Sequence, residues 1–132
     1  MENRNSVEVL LVEAGLLPVQ MPNNYTFRKV RELLAGLEGK DEDEISKAIT
    51  LAKRQEISGP LATMIFIKHH LGGAHEVEVD RLEESEEGVK YAVLVYPEGE
   101  LPIKLKHLPQ SVQGGSLLQY SATDGQYESV GE

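Results

Sequence analysis

Three histidines, His69, His70 and His75, lie within seven residues and flank Gly72-Gly73 in the stretch FIKHHLGGAHEVEV, residues 66–79. Imidazoles this close suggest a metal centre or acid–base chemistry. A metal needs rings that converge on one point. His69 and His70 are adjacent, so on a helix they point about 100° apart, and on a strand they face opposite sides. The glycine pair can fold the chain back and bring His75 towards His70, with Glu76 or Asp80 adding an oxygen ligand. The candidate metal pair is therefore His70 and His75, but the spacing matches no ligand pattern such as HExxH. A boundary explains more of these residues. A helix ends near Leu71, Gly72 takes the left-handed position after it, and His69 and His70 meet the free carbonyls of the last turn.

Other catalytic arrangements lack their parts. The chain has no cysteine, so thiolate nucleophiles, disulfides and Cys-type zinc sites are excluded. Ser58 sits in no nucleophile elbow and no local base activates it. Neither phosphate-binding glycine motif is present. The acids at 41–44 and 83–87 read as solvated clusters, not as a pair with divergent pKa values. The sequence gives no positive sign of an enzyme and implies no cofactor.

The elements that position these residues follow from hydrophobic period. The 132 residues fit one domain, and 40% hydrophobic with 27% charged residues is a globular balance. Residues 7–12, VEVLLV, suit a strand or a short helix stopped by Gly15, with a slight preference for helix. Asn24 caps a helix with Phe27, Val30, Leu33, Leu34 and Leu37 on one face and Gly39 as its stop. Asp41 with Glu44 opens a second, through Ile45, Ala48, Ile49 and Ala52. The short link between them predicts an antiparallel pair. Residues 61–71, after Gly59-Pro60, are apolar nearly all round at first, which predicts a buried central helix over a competing strand.

The period then changes to two. Val77 and Val79, residues 89–96, and Leu101, Ile103 and Leu105 predict three strands in an antiparallel meander, with 89–96 in the middle. Pro102 marks an edge strand. The expected fold is α+β, with three to four N-terminal helices on a three-stranded antiparallel meander in a single domain over residues 1–108. The expected core is Phe27, Val30, Leu34, Ile45, Ile49, Leu61, Ile65, Val77, Val93, Val95 and Ile103. Residues 109–132, rich in Gln, Ser and Gly, read as a flexible tail, with SLLQY either a docking segment or an added strand.

A net charge of −9 weakens attraction to nucleic acid and to anionic lipid. The start of the chain has no signal-peptide pattern, and no stretch is long enough to span a membrane, which predicts a cytoplasmic protein. The favoured function is a small acidic protein-binding module of adaptor, assembly-factor or inhibitor type. Its partner is another protein, and exposed edge strands would also support a homo-oligomer. The expected contact residues are Leu101, Ile103 and Leu105 on the edge strand and Leu117, Leu118 and Tyr120 in the tail. The alternative is a winged-helix-like nucleic-acid regulator using Arg28, Lys29, Arg31, Lys53 and Arg54. Against it stand the acidic wing tip EESEEG and the apolar third helix.

Overall fold

A computed structural model of the chain describes residues 6–130. The fold is α+β, with four helices followed by a five-stranded antiparallel sheet. Helix α1 spans Ser6–Glu13, α2 Tyr25–Leu37, α3 Glu42–Arg54 and α4 Pro60–Leu71. The strands are β1 His75–Glu84, β2 Lys90–Tyr96, β3 Gly99–Lys104, β4 Leu117–Ser121 and β5 Gln126–Ser129. Their spatial order is β3-β2-β1-β4-β5. No helix among the described residues is long and apolar enough to cross a membrane.

The helix boundaries follow local chemistry. Asn24 Oδ1 accepts the Phe27 amide at 2.9 Å, a cap worth about 1 kcal/mol. Asp41 caps α3 through the Asp43 amide at 2.8 Å, in place of the reciprocal box expected with Glu44. Pro60 opens α4 behind Gly59, whose φ of 96° suits a residue without Cβ. Residues 62–67 of α4 are all buried, so the all-round apolar segment is the central helix. Each large side chain there contributes about 1.5–3 kcal/mol of burial. Helices α2 and α3 pack chiefly on α4 and not as a pair on each other. Two helices with narrow apolar stripes each find a better partner in one that is apolar all round.

The sheet has five strands, not three. The segment expected to be a flexible tail supplies β4, which pairs with β1 from Glu78↔Leu117 to His75↔Tyr120, and β5, which pairs with β4. The central strand is therefore β1, and β2 lies between it and β3. Strand parity in β2 also differs from expectation. Ala92, Leu94 and Tyr96 join the main core, Val95 is 49% exposed, and Val93 is buried on the opposite face, in register with Arg81 and Pro102. Both faces of β2 are apolar, so composition left the parity open, and a one-residue slip exchanges the faces.

Candidate functional site

The histidines sit where α4 ends and β1 begins. Gly72 stays helical at φ −74° and Gly73 takes the left-handed turn at φ 95°, one residue later than expected. The imidazoles meet side chains, not helix carbonyls. His69 Nε2 lies 2.7 Å from Glu98 Oε1. His70 Nδ1 lies 2.6 Å from the Tyr120 hydroxyl. His75 Nδ1 lies 2.8 Å from the Gly73 carbonyl and Nε2 2.7 Å from the Tyr96 hydroxyl. A carbonyl only accepts, so Nδ1 of His75 carries the hydrogen. In the neutral ring Nε2 then accepts the proton of Tyr96, whose oxygen faces the Tyr127 hydroxyl at 3.4 Å.

Aromatic contacts close this cluster. The Tyr120 ring stacks on His75 at 5.1 Å and meets the edge of His70 at 5.8 Å. Burial lowers the pKa of His70, an effect that the charge of Glu44 opposes and that of His75 reinforces. Burial likewise raises Tyr96 to about 12 and pushes Tyr120 and Tyr127 up. For Glu98, partial burial acts upward, but hydrogen bonds from Lys68 and His69 hold the carboxyl down to about 2. His70 and His75, the candidate metal pair, share a tyrosine ring, and both nitrogens of His75 already have partners. Among the described residues, no group of three or more His, Cys, Asp or Glu side chains can hold a metal ion. The cluster ties α4, β1, β2, β4 and β5 together.

The other expected site residues divide by exposure. The side chains of Leu101, Ile103, Leu118 and Tyr120 are buried in the core. Their strands alternate, and these are the inward positions. Leu105 is half-buried and Leu117 is 42% exposed. Arg28, Arg31, Lys53 and Arg54 are exposed and Lys29 is half-buried. Arg31 Nη2 donates to the Met21 and Pro22 carbonyls at 3.1 and 3.3 Å, and Lys29 lies 5.8 Å from the Tyr25 ring centre. The helix that would read a groove in the winged-helix scheme is the buried α4.

An open site lies along β5. The Val130 amide donates to the Leu117 carbonyl at 3.2 Å, and the register pairs Gln119 with Glu128 and Ser121 with Gln126. Antiparallel pairs alternate between bonded and non-bonded. The main-chain groups of Tyr127 and Ser129 therefore point away from β4, towards the free edge. That edge lines a groove of about 690 Å³. The facing wall is Leu51, Arg54 and Gln55 at the end of α3 and residues 106–109 after β3.

Several local features hold the wall in place. Gln55 is 5% exposed and donates through Nε2 to the Gly125 carbonyl at 2.6 Å. Its Oε1 has no hydrogen-bond partner. Gly125 has φ 67°, and a Cβ there would lie 2.6 Å from Leu51 Cδ2, so glycine lets the hairpin approach α3 without displacing Leu51. Glu56, at φ 56°, gathers Lys106 at 2.7 Å, His107 at 2.8 Å and Lys104 at 3.3 Å. Hydrogen bonds from Lys106, His107 and Lys104, in that order, hold its carboxyl down to about 2.

Of the groove residues, only Arg54 was singled out from sequence, and for nucleic acid. The missed ones are Gln55, Lys106, His107, Tyr127 and Ser129. The alternation QYES was the available signal for β5, but it contains one inward residue, Tyr127. No protein-family description matches the chain, and no curated protein and no solved structure matches it significantly.

Proposed function

We propose that this chain is a protein-binding module that captures an extended segment of another protein as a sixth strand on β5. One observation carries the reading: the free main-chain groups of Tyr127 and Ser129 open into a walled groove. Strand addition draws affinity from main-chain hydrogen bonds and selectivity from side chains seated beside the edge, and a groove of this size lies within the usual range for a binding cleft. The opposite edge of the sheet is blunted. β3 carries Pro102, which has no N–H to donate, and Lys104.

A second copy of this chain is a poorer occupant than a different protein. The antiparallel register that uses all four free groups pairs Tyr127 with Ser129 of the copy. It also sets Glu128 opposite itself, and like charges directly opposed are destabilising.

The test is selection from a random 12-residue peptide display library on the native protein and on Ser129→Pro. That substitution removes one outward N–H and no bond to β4, so the fold, checked by circular dichroism, should persist. The expected result is enrichment of strand-forming peptides on the native protein and their loss on Ser129→Pro. Equal enrichment on both proteins would overturn the reading.

A further inference from the structure

One face of the sheet, with Val77, Val79, Leu94 and Leu118, shares a core with the helices. The opposite face leaves two large apolar side chains, Val95 and Leu117, exposed. The register sets them on either side of Glu78. Leu117 on β4 pairs with Glu78, and one step on from Val79↔Leu94 Val95 on β2 stands opposite it. The acids of this face outnumber its cations. Arg81 serves Asp80, Glu83 and Glu100 together, and the ammonium of Lys104 turns to Glu56 after α3. Glu76, Glu78 and Glu128 remain, exposed and in no ion pair among the described residues. Glu76 and Glu128 flank Gln119, in the row next to that of Glu78.

We infer that this open face docks a basic amphipathic helix of another protein. The helix lies across the strands, with apolar side chains on Val95 and Leu117, a lysine or arginine between them at Glu78, and further cations along one flank at Glu76 and Glu128. This surface is separate from the β5 edge, and the inference does not rest on strand addition there. Neighbouring strands lie about 4.8 Å apart, and a helix rises about 1.5 Å per residue. Successive contacts therefore fall about three to four residues apart, which is the spacing of one helix face. Charge selects the occupant. Nucleic acid and anionic lipid would meet repulsion from the unpaired carboxylates. A second copy seated face to face would oppose the same acids, and like-charge juxtaposition costs affinity. A helix with no cation at the centre would cover Glu78 without pairing it, which carries a desolvation cost.

The probe is a synthetic peptide of about 20 residues, long enough to hold a helix. It carries Leu, Lys and Leu at successive steps of about three to four residues and a pair of lysines on one flank, on an Ala and Gln background. A control peptide has the same composition in scrambled order. Binding is read by fluorescence anisotropy at about 0.15 M salt, which screens distant charges. The native protein should bind the patterned peptide on the order of tenfold tighter than the scrambled one. Glu78→Lys should remove that advantage, and a peptide with Glu in place of the central Lys should regain it on Glu78→Lys and not on the native protein. The double variant Val95→Ser, Leu117→Ser should also remove it. All these positions are exposed, so the fold, checked by circular dichroism, should persist. Equal binding of the patterned and scrambled peptides to the native protein would overturn the inference, leaving only general attraction between an acidic protein and a basic peptide. An advantage that survives Glu78→Lys would overturn it as well.

Discussion

The end of α4 and the edge of β5 are opposite in character. The α4 end holds the residues that look most reactive in the sequence, and the fold uses them against one another. His69 is engaged by Glu98, His70 by Tyr120, and His75 by Gly73 and Tyr96. The β5 edge comes from a stretch of Gln, Ser, Thr and Gly, and it leaves main-chain donors and acceptors unpaired beside a groove. Residue type alone therefore does not say which groups a fold leaves unpaired. A site requires valence left over after folding, and that depends on which partners the fold supplies.

If this contrast is right, the largest effects of mutation fall at the α4 end and are structural. Tyr120 is 1% exposed and touches Phe66, His70, His75 and Tyr127. Tyr120→Ala should cost about 3–5 kcal/mol of stability in urea unfolding. Tyr120→Phe, which loses only the bond to His70, should cost about 1–2 kcal/mol. A loss below about 1 kcal/mol for the alanine variant would mean that the cluster is not core, and the contrast would collapse.

The next effect falls on the other region. Gly125→Ala places a side chain at φ 67° and against Leu51. The backbone cost is about 1–2 kcal/mol, and Leu51 can yield part of the space by changing rotamer, so a total of about 2 kcal/mol is expected. The loss should be local. Hydrogen exchange should quicken in β5 and at the end of α3 while β1 stays protected. Uniform quickening would show that the β5 hairpin and the sheet centre unfold as one unit, and would deny β5 the separateness that the comparison assigns to it.

How much of this was legible in sequence differs between the two regions for the same reason. Asn24, Pro60 and the three-and-four spacing of Val30, Leu34 and Leu37 act on near neighbours in the chain, so α2 and α4 are readable from local pattern. β1 announces itself through Val77 and Val79. β4 does not, because its inward residues are only Leu118 and Tyr120, and its partner lies some forty residues back, at His75 to Glu78. Nothing near Leu117 says that one side of β1 is vacant. The five-strand sheet, the burial of Tyr120 and the open edge of β5 all depend on that long-range pairing, and the groove with them. Leu118 is buried for the same reason, whereas Leu101 and Ile103 lie on β3, which pairs only with β2 and packs against α4.

The smallest effect separates the two regions by pH and salt. Glu98 and Glu56 are both held down to about 2. Glu98 is 15% exposed at its side chain and Glu56 41%. A carboxyl whose pKa is lower in the folded than in the unfolded chain adds stability above the unfolded value, here 4.5. That contribution fades as pH falls through the folded value near 2. Glu98→Gln should therefore cost about 1 kcal/mol at pH 7, and the gap from the native protein should close between pH 4.5 and 2. His70 acts higher on the scale. Its pKa is lowered on folding, so the unfolded chain takes the proton first, and stability already falls as pH drops through 6.5. Glu98→Gln should keep that upper slope and lose only part of the lower one, to which Glu56 also contributes. Salt then distinguishes the regions, because screening weakens exposed pairs more than partly buried ones. In 1 M sodium chloride the cost of Glu98→Gln should mostly survive, while any cost of Glu56→Gln should vanish. If both costs disappear together, the α4 end is as open to solvent as the groove wall, and the contrast fails.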